Sequence, residues 1–303
     1  MGAQLRAVRQ RIGSVRSIAK ITRAQELIAS SRIVKAQQRM RAAEPYAREL
    51  TRAVEAVVSR SASVTHPFTT ERQHVRKAAI LILTSDSGFC GAYNANVLRD
   101  ATRLRAALAE RNVEPVMYVA GRKGIGWHRF RELALASEWS GFSSTPQYQN
   151  AADIAAPLLE AFSDESGDGV DELYLVGTEF VSMLTQRPSV RRLLPLEIEE
   201  TTEEAPHGPL PQYEFEPGPD EVLDALLPQY VTSRIFFALL EAAASELASR
   251  RRAMKAATDN AGDLLETLTR EANNARQAEI TQEISEIVGG ANALADASAG
   301  SES

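Results

Sequence analysis

The chain has 303 residues, a formal net charge of −6 at neutral pH and a single cysteine. One cysteine, Cys90, excludes an internal disulfide and a cysteine-cluster metal site and fits a reducing compartment. The four histidines, His66, His74, His128 and His207, lack ligand spacing and argue against zinc. No run approaches the roughly eighteen apolar residues of a membrane-spanning helix, and the opening residues read as a charged helix rather than a signal or transit peptide. The expectation is a protein that is soluble or peripheral to a membrane.

The first element is a long helix. Leu5, Val8, Ile12, Val15, Ala19 and Thr22 follow three-four spacing, and Met40, Ala43, Ala47, Leu50, Val54 and Val57 resume it, which is the seam of a coiled coil. The helix should end near Arg60, ahead of Pro67, so residues 1–62 form an N-terminal coiled-coil helix. Its first 60 residues carry thirteen Lys and Arg side chains against four Glu. Such a basic helix suits nucleic acid, an anionic membrane, an acidic protein surface, or simply a solvated face. No aromatic residue precedes Tyr46, and no recognition-helix or zinc-finger pattern occurs, so nucleic acid is disfavoured and an acidic protein partner fits better.

Residues 76–217 read as an α/β domain. Ala78 to Thr84 is a buried strand, followed by the turn-rich Ser85-Asp86-Ser87-Gly88-Phe89-Cys90-Gly91 and a helix from Asn94 to Arg111. Pro115 to Ala120 is a second strand, Gly121-Arg122-Lys123-Gly124 opens a helix through Leu133, Ala151 to Phe162 is a further helix, and Glu172 to Val176 a third strand. Leu193 to Glu199 and Tyr213 to Glu216 read as edge or hairpin strands. They flank an acidic run, since residues 197–224 hold ten Asp and Glu and neither Lys nor Arg. Alternating strands and helices predict a Rossmann-like domain with a partly parallel sheet.

The last element is a second long helix, residues 220–294, starting at Asp220 after Pro219 and closing near Gly289-Gly290, about 100 Å at 1.5 Å per residue. Phe236, Leu240, Ala243, Leu247, Met254, Ala257, Ala261, Leu264, Leu268, Ala272 and Ala275 keep the heptad average. Paired antiparallel with the first helix, it makes a rod on an α/β head, with one tip projecting as a single helix. The predicted fold class is thus α/β plus coiled coil. The small, polar residues 295–303 should be disordered.

Chemistry-bearing motifs are sparse. Neither G-x-G-x-x-G nor the phosphate loop G-x-x-x-x-G-K-[ST] occurs, and Gly121 to Gly126 has the wrong glycine spacing after the wrong strand. Asp86 with Cys90 has no histidine nearby to act as a base, so Gly88 and Gly91 read as turn residues and Cys90 as a small buried apolar side chain. No catalytic, cofactor or metal site is predicted.

The stretch from Arg276-Gln277 through Ile280-Thr281-Gln282-Glu283, Glu286 and Gly289-Gly290-Ala291 resembles the carboxyl-terminal signature of the gamma subunits of bacterial F-type ATP synthases. Met254-Lys255-Ala256-Ala257-Thr258-Asp259-Asn260, Lys20-Ile21-Thr22-Arg23-Ala24 and Gly88-Phe89-Cys90-Gly91-Ala92-Tyr93-Asn94 are similar to the same family in the same order. Gln25, Ser87 and Phe89 depart from its commoner residues. With Cys90 alone, the regulatory cysteine pair of chloroplast-type members is absent.

The resemblance implies a central stalk that couples proton flow through a membrane ring of c subunits to ATP synthesis or hydrolysis on beta. The implied partners are three alpha and three beta subunits, epsilon and the c ring, with the chain peripheral on the cytoplasmic side of the cell membrane. It further implies rotor-stator contacts with beta at Arg276, Gln277, Thr281, Glu283, Glu286, Lys20 and Arg23, and an apolar tip, Ile280, Ile284, Ile287 and Val288 with Ala291, inside the sleeve of the ring. Arg250, Arg251, Arg252 and Lys255 are candidates for facing acidic loops of beta. A coiled-coil adaptor and an enzyme carried by the α/β domain are the competing readings.

Overall fold

The computed structural model describes residues 2–60, 68–70, 72, 74–164, 167–196 and 218–299; the expected strand Tyr213 to Glu216, His66, His207 and most of the acidic run lie outside them. The elements in order are α1 (Gly2–Arg60), β1 (Lys77–Leu83), α2 (Tyr93–Glu110), β2 (Glu114–Ala120), α3 (Arg122–Phe130), β3 (Ser137–Trp139), α4 (Tyr148–Ser163), β4 (Glu172–Phe180), β5 (Gln186–Leu194) and α5 (Pro219–Ala299). The chain divides into two compact units, Met1–Ile28 with Ala253–Ser303, and Ala29–Arg252.

In the larger unit the five strands lie in the order β3-β2-β1-β4-β5. β1 pairs parallel with both β2 and β4, β2 pairs parallel with β3, and β5 returns antiparallel on β4. The run Ala78 to Leu83 is buried on both faces, which is why its apolar sequence does not alternate. Ala79, Leu81 and Leu83 join α4, the first part of α5 and Val54 and Val57 of α1 in one core. Ala78, Ile80 and Ile82 face the other way, toward Val97, Leu98, Ala101 and Leu108 of α2. This even-odd split is the period-two geometry of a strand.

Several boundaries differ from the sequence reading, each for a local reason. α4 begins at Tyr148 because Gln147 and Asn150 form a reciprocal capping box. α3 stops at Phe130, short of Leu133, where Glu132 adopts a positive φ of 55° and the N–H groups of Arg131 and Leu133 both turn to the His128 carbonyl. The last described strand is Gln186–Leu194 rather than Leu193 to Glu199. It is an edge strand rich in polar residues and half-buried over much of its length, so only Leu193-Leu194 carried an apolar signal. β3, with three residues, is too short to show a pattern.

α5 has 81 residues and runs on to Ala299, past Gly289-Gly290, so residues 295–299 are helical rather than disordered; at 1.5 Å per residue it is about 120 Å long. Pro45 and Pro228 sit within α1 and α5. A proline interior to a helix costs on the order of 3 kcal/mol. Burial of Val54, Val57, Leu223, Leu227 and Val231 in the common core offsets it.

The amino ends of β1 and β4 are tied by Asp171, which is buried. Its carboxylate accepts the Arg76 N–H at 2.6 Å, the Lys77 N–H at 3.1 Å and the Arg72 guanidinium at 2.7 Å. Burial alone would raise its pKa, but these donors outweigh it and hold the carboxyl below its ordinary range. A depressed folded pKa gives stability that is present above the unfolded carboxyl pKa and disappears as pH falls through the folded value. Asp171→Ala is therefore expected to lower stability by about 1–3 kcal/mol at neutral pH and by less in acid, measured as urea unfolding midpoints at both pH values.

Candidate functional site

In the smaller unit, α1 and α5 form a two-helix antiparallel coil whose register is fixed inside the seam. The hydroxyls of Thr22 and Thr258 meet at 2.7 Å, and each also bonds to a carbonyl of its own helix, Ala19 at 3.1 Å and Met254 at 2.9 Å. In an antiparallel pair each step along one helix matches one step back along the other. Thr22 against Thr258 therefore sets Ala19 opposite Ala261, Val15 opposite Leu265, Ile12 opposite Leu268, Val8 opposite Ala272 and Leu5 opposite Ala275. Every one of these residues is buried or half-buried. The seam thus takes Leu265 where the sequence reading had placed Leu264, which is 41% exposed. Past Ala261 the alternation steps by four, and Leu264 instead borders an open groove with Ala7, Arg11 and Val15.

Continued along α5, the seam positions become Glu279, Gln282, Glu286 and Gly289, which cannot form an apolar contact. The apolar side chains have moved round the helix. Ile280, Ile284, Ile287 and Val288 occupy the b, f, b and c positions of the same heptads, turned away from the seam, and all are exposed, Ile287 to 71%. By the same register, no described residue of α1 lies opposite α5 beyond Glu279. The apolar stripe at the tip of α5 therefore does not continue the coil's seam.

The predicted contact residues lie on this helix and beside the Thr22–Thr258 pair. Arg276, Gln277, Thr281, Glu283 and Glu286 are all exposed. Thr281 donates to the Gln277 carbonyl at 2.9 Å, and the Gln282 amide donates to Glu286 at 2.8 Å. Lys20 is exposed, and Arg23 donates to Glu26 at 2.8 Å, the carboxylate being largely buried at a seam position. The carboxyl-terminal five and the apolar four are thereby brought together on one helix. Lys20 and Arg23 stand about two dozen residues' rise away, close to the polar layer.

In the larger unit the place where an open parallel sheet holds its ligand, beyond the carboxyl ends of β1 and its neighbours, is filled by α5. The cavity left there between Thr84, Asp86, Tyr93, Ser143, Leu239 and Ala242 measures only about 10 Å³, too little to hold more than a single water. Tyr93 donates to the Ala242 carbonyl at 3.3 Å. Asp86 closes the rim, accepting N–H groups of Gly141 at 2.8 Å, Ser143 at 3.0 Å and Arg122 at 3.1 Å. Burial opposes its ionisation, yet those donors and the Arg122 charge keep its carboxyl below the ordinary range.

The glycines of Gly121-Arg122-Lys123-Gly124 serve close packing. Gly121 has φ 106°, and an added Cβ would stand 2.2 Å from the Thr84 carbonyl oxygen; at Gly124 it would stand 2.7 Å from the Thr84 hydroxyl. That hydroxyl accepts the Gly124 N–H at 2.9 Å. Asp86 as the rim anchor and Thr84 as the residue the glycines accommodate were not legible beforehand. The available signal was the joint occurrence of Thr84-Ser85-Asp86 at a strand end and a glycine pair at the next one.

Two long helices and an α/β domain of this kind recur together in known proteins. The pattern of the ATP synthase family matches residues 4–294. The ATP synthase gamma chain of Thermobifida fusca is 60% identical, with both chains covered completely, and that of Acidothermus cellulolyticus is 61% identical, covering 97% of this chain and 98% of its own. Among solved structures, a chain of the Euglena gracilis mitochondrial ATP synthase, in an assembly of OSCP, F1 and c-ring, matches with a TM-score of 0.68 at 15% identity, covering 97% of this chain and 95% of that one. The chain belongs to the ATP synthase gamma-chain family.

The polar seam layer generates a test. Thr22→Val or Thr258→Val alone is expected to cost about 0.5–1.5 kcal/mol, and the double variant less than the sum, because each hydroxyl loses its cross-helix partner in either single change. A double-mutant cycle by urea unfolding of the full chain measures the coupling.

Proposed function

We infer that the chain is the central rotor shaft of a proton-translocating F-type ATP synthase, coupling proton flow through the c ring to ATP synthesis or hydrolysis on beta. The observation that carries this reading is 60% identity, across the whole of both chains, with an ATP synthase gamma chain. Three alpha and three beta subunits would surround the coil, while epsilon and the c ring would bind toward the α/β domain. The chain itself would hold no catalytic site, a reading supported by the crevice that α5 fills. Among the described residues no helix is long and apolar enough to cross a membrane, which fits a peripheral position on the cytoplasmic side.

Mechanically, a shaft of asymmetric cross-section meets three equivalent beta subunits in three different ways. Each orientation then carries a different coupling free energy to the distant nucleotide site, which is allostery in the thermodynamic sense. A proton descending 100 mV supplies about 2.3 kcal/mol, so several must be summed per ATP through a shaft that does not unwind. Continuous helices with every interior N–H bonded to a carbonyl meet that demand.

Arg276, Gln277, Thr281, Glu283 and Glu286, with Lys20 and Arg23, are the proposed contacts with beta. The outward stripe Ile280, Ile284, Ile287 and Val288 is the face proposed to run in an apolar sleeve, since an exposed apolar stripe of this kind needs cover. Arg276→Ala or Gln277→Ala is expected to leave folding intact while lowering coupling or turnover. Ile284→Asp should leave the melting curve unchanged but weaken retention in the complex. Circular dichroism beside ATP hydrolysis of the assembled complex reads both, and unfolding of either polar variant or unaltered turnover would sink the contact assignment.

The whole reading is tested by mixing purified alpha and beta subunits with and without this chain, following ATP hydrolysis and particle mass. A three-three-one particle whose turnover depends on the chain is expected. Failure to assemble with competent subunits returns the adaptor reading.

A further inference from the structure

Arg250 carries an apparent surplus of charge in the run Arg250-Arg251-Arg252, yet its side chain is only 12% exposed and is turned into its own subunit. Its Nη2 donates to Glu246 at 2.7 Å and to the Ser87 carbonyl at 3.1 Å, and its Nε donates to the Gly88 carbonyl at 3.2 Å. The Glu246 carboxylate is 1% exposed. One planar fork therefore joins a buried carboxylate of α5 to two successive carbonyls of the loop after β1. That loop bears unusual backbone. Phe89 sits at φ 59° with its ring 81% exposed, between those carbonyls and Gly91 at φ 58°. Two residues along α5, Arg252 makes a similar reach into the β4–β5 hairpin, donating to the Leu184 carbonyl at 2.7 Å and to the Gln186 amide oxygen.

We propose that Arg250 is a positioning residue, a clamp by which α5 holds the Ser85–Gly91 loop in its strained form and turns that loop with the shaft, rather than a residue that meets a partner itself. Carbonyls bonded to Arg250 keep Ser87 and Gly88 fixed on one side of the positive-φ residue. On the other side the Asn94 side-chain amide donates to the Cys90 sulfur at 3.2 Å and the Tyr93 N–H to the Cys90 carbonyl at 3.2 Å. Held at both ends, the loop presents Phe89 outward at a defined angle to α5. Arg252 supports the second loop in the same manner but from an exposed side chain, so its hold is the weaker of the two.

The turnover arm of the test rests on the rotor reading; the exchange arm does not. Amide hydrogen exchange of the isolated full chain is compared for Arg250→Gln, Arg250→Lys and, as a control, Arg251→Gln, for which no hydrogen bond or ion pair occurs among the described residues. Arg250→Gln is expected to speed exchange across residues 85–91 about tenfold or more while β1 and α2 stay protected. Arg250→Lys, with charge but no fork, should fall between, and it replaces the glutamine variant if that one does not fold. In the complex with alpha and beta, Arg250→Gln should lower kcat about fivefold with KM for ATP within about twofold. Unchanged loop exchange, or fast exchange spreading into β1, would overturn the clamp. A wild-type complex that does not turn over would instead sink the rotor reading and leave the exchange result standing.

Discussion

From Ala238 to Ser249 every residue of α5 is buried, and this enclosure sets the terms for the larger unit. A helix covered on all sides has no polar face to give to solvent, so its seam is built of Ala238, Leu239, Ala242, Ala243 and Leu247, and its two carboxylates must find partners indoors. Glu241 takes Arg191 at 2.9 Å and Glu246 takes Arg250. Desolvation nevertheless leads, raising the pKa of both carboxyls above the ordinary range. Such pairs add little net stability compared with apolar packing, but removing one member leaves the other uncompensated. Their effect is directional: Arg191 ties Glu241 to β5 and Arg250 ties α5 to the Ser87 and Gly88 carbonyls, which admits α5 at one depth and one rotation.

The smaller unit solves the opposite problem. Two helices alone cannot enclose a seam, and most of the residues from Leu5 to Ala19 facing Ala261 to Ala275 remain half-buried. Alanine at four of these positions allows close approach but removes little apolar area from water. Register then depends on something other than hydrophobic shape, and the Thr22–Thr258 layer supplies it. A polar pair inside a seam is satisfied at one alignment only, at some expense in stability.

Much of this was legible from spacing alone. Heptads declared both long helices, and the uninterrupted apolar run of β1 declared a strand buried on two faces. What escaped was decided by tertiary contact. The choice of Leu265 over Leu264 hinges on one hydroxyl pair separated by 236 residues, and β5 owes its existence to pairing with β4 rather than to its own pattern. The inward turn of Arg250 could not be read from a run of three arginines, because charge count does not say which side chain has carbonyls within reach. The apolar tip was legible, but its rotation away from the seam emerges only once the register is fixed.

That rotation bears on how a shaft could signal without stalling. Were the seam to continue, the tip would offer the same stripe that binds α1, and a strong apolar contact would hold it in one orientation. Instead glutamates follow the seam and isoleucines occupy the outer face. Exposed ion pairs contribute about 0–1 kcal/mol each, whereas a shift from one dominant conformation to another takes about 5.5 kcal/mol of differential binding. If the proposed contacts with beta are made, each weak polar contact would be released in turn, none of them deep enough by itself to trap the rotor. On the proposed function, the exposed, lightly tied side chains of Arg276 and Gln277 suit that requirement better than a buried network would. The deep, fully paired arginine is kept further down, at Arg250, where the task is to hold.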